Sequence, residues 1–224
     1  MVCGIDEAGR GPLAGPVCAA AVILPQDFPL PLLNDSKKLT PKQREETRRV
    51  IVDRAIAWGV GWATHAEIDE INILQASLLA MRRAFDRMLA PVDGNGCWPQ
   101  TLETEAPFGR AAALPPAAGL AAVVDGLYVP DISVPCTALV KADSQVPEVM
   151  AASILAKTAR DQLMEYYGRL YPRYGYERHK GYPTREHREL ILKYGPSPIQ
   201  RMSFRVAATV APSTEKEIRF QDTH

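Results

Sequence analysis

Apolar positions follow two rhythms along the 224-residue chain. Short β-branched runs bounded by glycine and proline, at residues 2–6 and 17–24, predict strands. The link between them holds Gly9, Gly11 and Gly15, which predicts a hairpin with a wide loop. Residues 57–63, "AWGVGWA", alternate as a strand does, and "LAAVVDG" (120–126) and "CTALVKAD" (136–143) predict two more. The helical rhythm starts at Thr40, an N-cap followed by Pro41 at the first helical position and Gln43 at the capping-box position, so a helix is predicted over about 41–57. Thr64 and Glu67 repeat the capping box. Asn72 then opens a run in which Leu74, Leu78, Met81, Phe85 and Met88 recur on one face, a stripe for the core. A long helix over about 147–170 and a short one over 184–193, stopped by Gly195 and Pro196, complete the pattern.

Two stretches carry neither rhythm. Residues 91–119 contain five prolines and an alanine-rich patch but no periodic apolar face, which predicts a mobile inserted loop. Residues 207–224 form a tail without pattern, expected to be disordered or loosely packed. What remains, residues 1–206, is sized for one domain, and its mixed order of strands and helices predicts an α/β or α+β domain with a mixed sheet.

Composition narrows the class. Apolar residues make up 46% of the chain, as in a globular protein, and the longest early apolar run, 17–24, is far too short to span a bilayer, so a soluble cytoplasmic protein is expected. Cys3, Cys18, Cys97 and Cys136 have no metal-finger or C-x-x-C spacing and are expected to be ordinary thiols. Net charge is zero, yet its distribution is uneven. Residues 37–54 hold seven basic side chains against three acidic ones, and residues 169–193 repeat that ratio. Each run alone suits a solvated helix face; two of them around a group of acids favour a polyanionic substrate.

The stretch "GIDEAGRGPLAGP" raises the chemical question, because it puts Asp6 and Glu7 side by side at a strand end before three glycines and Arg10. "GRGPLA" formally fits the G-x-G-x-x-A dinucleotide fingerprint, but that motif needs a helix immediately after the loop. Here "VCAAAVIL" follows, a strand, and two acids sit where a pyrophosphate would be repelled. The pair could also simply start a turn. Against that, Asp125 and Asp143 also stand at ends of predicted strands. Acids gathered there repel one another unless cations intervene, and all-oxygen sites suit Mg²⁺ or Mn²⁺. Two such ions about 3.5–4 Å apart can clamp an in-line phosphoryl displacement. Successive strand side chains point to opposite faces, so for Asp6 and Glu7 to share such a site the strand is expected to end or bulge there.

In this order, "GIDEAGRGPLAGPV", "NDSKKL", "EIDEINILQASLLAM", "VVDG", "LVKADS", "AASILAKTARD" and "HKGYPTREH" resemble ribonuclease HII, the type 2 bacterial ribonuclease H, from about residue 2 to 206. The resemblance implies a ribonuclease H-like fold: a central mixed β-sheet flanked by helices, with a C-terminal helical part. It implies endonucleolytic cleavage of RNA in RNA:DNA hybrids, and incision 5′ of single ribonucleotides in duplex DNA, leaving 5′-phosphate and 3′-hydroxyl ends. Carried over residue by residue, Asp6, Glu7, Asp125 and Asp143 become the catalytic acids and metal ligands for Mn²⁺ or Mg²⁺. Gly9, Arg10 and Gly11 match the family's G-R-G, whose backbone reads the ribose 2′-hydroxyl. Tyr182 matches the tyrosine that packs on the deoxyribose after the junction, and Lys37, Lys38 and Lys180 become phosphate contacts. Nothing in the sequence demands more than a monomer, so a monomer acting on hybrid or ribonucleotide-containing duplex, without a membrane, is expected.

Two positions depart from the family pattern. The chain has "DGL" at Asp125 where the family often has D-G-N, and "KADS" around Asp143 where it usually has K-G-D-S. A literal "DGN" occurs at Asp93, but it opens the proline-rich insert, whereas Asp125 ends a β-branched run one strand-turn-strand length before Asp143, so Asp125 is the expected ligand. Ala142 is expected to cost little unless that residue needs a positive φ. His179 and His187 lie outside common ligand spacings and are expected at the surface or facing a duplex, without zinc. Two alternatives stay open: another metal-dependent nuclease on the same scaffold, for which a 2′-hydroxyl reader would be idle, and a non-catalytic hybrid-binding module, which would not require four acids.

Overall fold

The structure, a computed structural model, describes residues 1–34, 36, 38–90, 109–111 and 119–206. Most of the 91–119 insert, with Asp93 and Cys97, lies outside the described residues, as do Lys37 and the 207–224 tail. A six-stranded mixed sheet forms the centre, in the order β4-β3-β2-β1-β5-β6. Strands β1 (Val2–Ala8), β2 (Val17–Ile23) and β3 (Ala57–Ala63) form an antiparallel meander. Strands β5 (Ala121–Asp125) and β6 (Cys136–Leu139) add in parallel beside β1. The β4 strand (Gly109–Ala111) corrects the expectation of an unbroken loop over 91–119. It pairs antiparallel with β3, and three residues are too few to leave a periodicity to read.

The alternation along β2 divides the core. Val17, Ala19, Ala21 and Ile23 face one layer, packed with Ala80, Ala84, Phe85 and Met88 of α2 (His65–Leu89). Cys18, Ala20 and Val22 face the other, where α1 (Pro41–Arg54) and α3 (Pro147–Leu170) supply Ile51, Ile154 and Leu155. With helices on both faces the strand reads as a continuous apolar run. Two short helices, α4 (Tyr176–His179) and α5 (Arg185–Tyr194), follow and pack by α3 around Tyr174 and Tyr176. Among the described residues no helix is long and apolar enough to cross a membrane, and Cys3, Cys18 and Cys136 are free thiols.

Both expected capping boxes form, at Thr40 with Gln43 and at Thr64 with Glu67. Asn72 breaks α2 with φ 67°, and its side-chain oxygen accepts from the amides of Leu74 and Gln75, recapping the second segment. Asn72→Ala loses that cap and strains a left-handed backbone, so urea unfolding should show a loss of about 1–2 kcal/mol. Asn72→Gly should lose less, because glycine accepts the positive φ.

Candidate active site

The pleat puzzle at Asp6 and Glu7 resolves without a bulge. β1 stays in register against β2 through Asp6↔Ala20, Glu7↔Ala19 and Ala8↔Cys18, so the expected ending or bulge is corrected. On its other side, β1 pairs with β5 only as far as Ile5↔Val124. Beyond that point this edge of β1 is open. Asp6 lies toward Ser153 of α3, and Glu7 reaches the same cavity although the pleat aims it the other way.

That cavity, about 590 Å³, collects Asp6, Glu7, Asp125 and Asp143. It also takes in Gly9, Arg10, Gly11 and Tyr182. Asp125 ends β5 and accepts a 2.7 Å hydrogen bond from the amide of Ala142. Asp143 does not end a strand, which corrects the expectation for 136–143. β6 stops at Leu139, Lys141 turns left-handed at φ 61°, and Ala142–Ser144 form a single 3₁₀ turn. The Ser144 hydroxyl donates to the Lys141 carbonyl, a local bond that competes with the strand ladder. Ala142 itself is buried without a positive φ, so the methyl group there carries no backbone penalty.

The electrostatics are those of crowded acids. Burial pushes the Asp6 carboxyl well above its usual range, with Glu7 and then Asp125 adding repulsion. Burial also raises Glu7, against the opposing pull of Arg10 at 3.3 Å. Asp6 Oδ1 accepts from the Glu7 amide at 2.7 Å, while Glu7 Oε2 is buried without any hydrogen-bond partner. Among the described residues no three acidic, His or Cys side chains already form a closed metal cage. A small hard cation that keeps its waters and shares substrate phosphates needs no such cage. An orphaned carboxylate oxygen beside two further acids fits that kind of ion.

The substrate-side residues divide. Gly9 has φ 96°, and a Cβ on it would lie 2.0 Å from Arg160 Nε, so the fold itself demands glycine there. Gly11 is different: a Cβ would meet only Tyr182, at 3.9 Å. Tyr182 is 39% exposed and faces the same cavity. Lys180 is not brought to the acids; it lines a second cavity, where it pairs with Glu165 at 2.7 Å. Lys38 is exposed and does not line the acid cavity, and Lys37 lies outside the described residues.

The two basic runs are largely balanced locally, Arg48 and Arg49 by Glu45, and Arg178 by Glu177 and Glu186. From the first run it is Arg44 that reaches the cavity, held by the carbonyls of Ser36 and Leu39. Sequence reading did not single out Arg44, nor Lys157, which lines the cavity 5.7 Å from the Tyr182 ring centre. It also missed Arg160 and Arg201, both buried under the glycine loop.

His179 and His187 are buried, not at the surface as expected. Their rings stack with centres 4.3 Å apart, and His187 Nδ1 donates to the Tyr182 carbonyl. His179 Nδ1 accepts from the Gly181 amide while its Nε2 donates to Tyr174. Burial and the neighbouring His179 push His187 down to about 4. An unfolded histidine titrates near ~6.5. The His187 contribution is therefore complete above that value and lost as pH falls through it toward 4. The unfolding free energy that the parent holds over His187→Asn should therefore shrink between pH 7.5 and 4.5, by on the order of 2–3 kcal/mol, as measured by urea unfolding.

The family model described as Ribonuclease HII matches residues 3–93 and 127–207. A ribonuclease HII from Treponema denticola is 53% identical over 208 residues, covering 91% of this chain and 98% of the relative. One from Dechloromonas aromatica is 47% identical, covering 91% and 90%. The crystal structure of ribonuclease H2 from Pyrococcus horikoshii OT3 superposes with a TM-score of 0.61 at 26% identity, covering 92% of this chain and 94% of that one. With the acids, the glycine loop and the sheet in place, these matches show that the chain belongs to the ribonuclease HII family, hydrolytic endonucleases that cleave the RNA of RNA:DNA hybrids.

Proposed function

We propose that the chain, acting as a monomer, cuts RNA:DNA hybrids and also incises 5′ of single ribonucleotides in duplex DNA, leaving 5′-phosphate and 3′-hydroxyl ends. The observation that carries this reading is the single cavity shared by the four acids, the Gly9–Gly11 segment and Tyr182. Asp6, Glu7, Asp125 and Asp143 would hold Mn²⁺ or Mg²⁺. Such ions, when bound, supply activated water and charge stabilisation at the leaving oxygen. The chain's own part is positioning. Arg10 balances Glu7, the Ala142 amide fixes Asp125, and the Glu7 amide holds Asp6, so these carboxylates are set before substrate arrives. Gly11 carries no side chain where a Cβ would come within 3.9 Å of Tyr182, which suits close approach of its backbone to a ribose, whose 2′-hydroxyl distinguishes RNA from DNA. Arg44 and Lys157 on the cavity wall suit backbone phosphates, which position a duplex without reading its sequence.

A labelled DNA duplex with one embedded ribonucleotide tests the proposal. It should be nicked on the 5′ side of that ribonucleotide with Mn²⁺ or Mg²⁺ and left whole with EDTA. Equal cutting of an all-DNA duplex would point to a general nuclease, and tight binding without cutting to a hybrid-binding module.

A further inference from the structure

Beneath the glycine loop, two buried guanidiniums take up its carbonyls. Arg201 donates to Gly9, Arg10, Pro12 and Gly15 at 2.6–2.9 Å. Arg160 donates to Ala14 and Pro16, and through its remaining nitrogen to Lys180 at 3.0 Å. Both residues are almost wholly excluded from solvent, at 0% and 1% exposure. A buried guanidinium demands acceptors, and here backbone oxygens fill that need in a fixed planar fork.

The consequence falls on the other side of the peptide groups. Carbonyls drawn inward leave amides to face outward or sideways. The amides of Leu13 and Gly15 are used within the fold, by Gly181 and Ile199. Among the described residues those of Arg10 and Gly11 make no backbone hydrogen bond, and both residues line the acid cavity. Arg160 adds a second link. It reaches the chain segment of Tyr182 through the Lys180 carbonyl, and its guanidinium carbon lies 5.8 Å from the Tyr182 ring centre.

We propose that Arg201 and Arg160 are positioning residues for ribose discrimination: they hold the loop with its amides toward the cavity and set its distance from Tyr182. This rests on the reading of Gly9–Gly11 as the ribose reader. Lysine cannot replace either arginine, because one ammonium cannot span four carbonyls or three in fixed geometry. Neither arginine touches the acids in the hydrogen bonds that anchor them, so metal response should be separable from discrimination.

The test measures dissociation constants of the full chain with Ca²⁺, for a duplex with one ribonucleotide and for its all-DNA counterpart. Arg201→Lys, Arg160→Lys and Gly11→Ala are compared with the parent, with thermal melting and the Mn²⁺ midpoint for hybrid cleavage as controls. The expected result is a tenfold or greater loss of preference for the ribonucleotide in both arginine variants. All-DNA affinity and the Mn²⁺ midpoint should stay within about twofold of the parent. If Gly11→Ala loses the preference and both folded arginine variants keep it, the positioning role is wrong while the loop remains the reader. If Gly11→Ala itself keeps the preference, the underlying reading fails. Equal weakening on both duplexes, or failure of both arginine variants to fold, overturns the proposal too, since the arginines would then support the domain rather than the reader.

Discussion

Asp6→Asn should lower hybrid cleavage by about a thousandfold or more, ~4 kcal/mol of transition-state stabilisation, while making the metal-free protein more stable at neutral pH. The two effects share one cause. Burial and the nearby Glu7 and Asp125 raise the Asp6 carboxyl. A carboxyl raised on folding contributes stability below its unfolded value of ~3.9, and that contribution is lost as pH rises through the folded value. Above its unfolded value the acid is therefore a growing burden on the fold that the amide removes. Each kcal/mol relieved should raise the melting temperature by roughly 2–4 °C in a domain of this size. Added Mn²⁺ should stabilise the parent more than the variant, because a ligand that binds only the native state adds to its stability. Asp125→Asn should likewise abolish cleavage, and Asp93→Asn should leave it within about twofold, since Asp125 lines the cavity beside Asp6.

Gly11→Ala should cost about a hundredfold in kcat/KM on a single-ribonucleotide duplex, ~3 kcal/mol, without loss of folding. The fold gives this glycine no structural reason to be one. Its φ is not positive, and an added Cβ meets nothing nearer than Tyr182 at 3.9 Å. Alanine there restricts the unfolded chain, so melting should be unchanged or slightly higher. Gly9→Ala is the contrast: it meets Arg160 at 2.0 Å with φ 96°, and should lower melting and activity together. A Gly11→Ala protein with parental activity would remove the ribose-reading role from this loop.

The features legible in the sequence were those decided locally. Capping boxes at Thr40 and Thr64 and the recapping Asn72 follow from neighbours a few residues away. The acids stood out in the sequence as charges beside apolar runs, and one cavity does gather them, although only Asp125 ends a strand. The rest depended on distant partners. Arg201 meets carbonyls 186 to 192 residues away, and nothing near it in "IQRMSF" announces burial. His179 and His187 were misplaced for the same reason, since spacing says nothing of a stack built by the turn between them. The β6 boundary failed more narrowly: "CTALVKAD" is apolar enough for a strand, but the left-handed Lys141 and the Ser144 bond end it early. The unbroken β1 shows the opposite error. Two adjacent acids could share a cavity because β5 stops short, which only the pairing register reveals.

Manganese anomalous scattering from crystals of the full chain soaked with Mn²⁺ tests the central assignment most directly. The account predicts density between Asp6, Glu7 and Asp125 in the cavity that also holds Asp143, and its loss in Asp6→Asn. Ions bound elsewhere in the parent, or unchanged binding in Asp6→Asn, would contradict it.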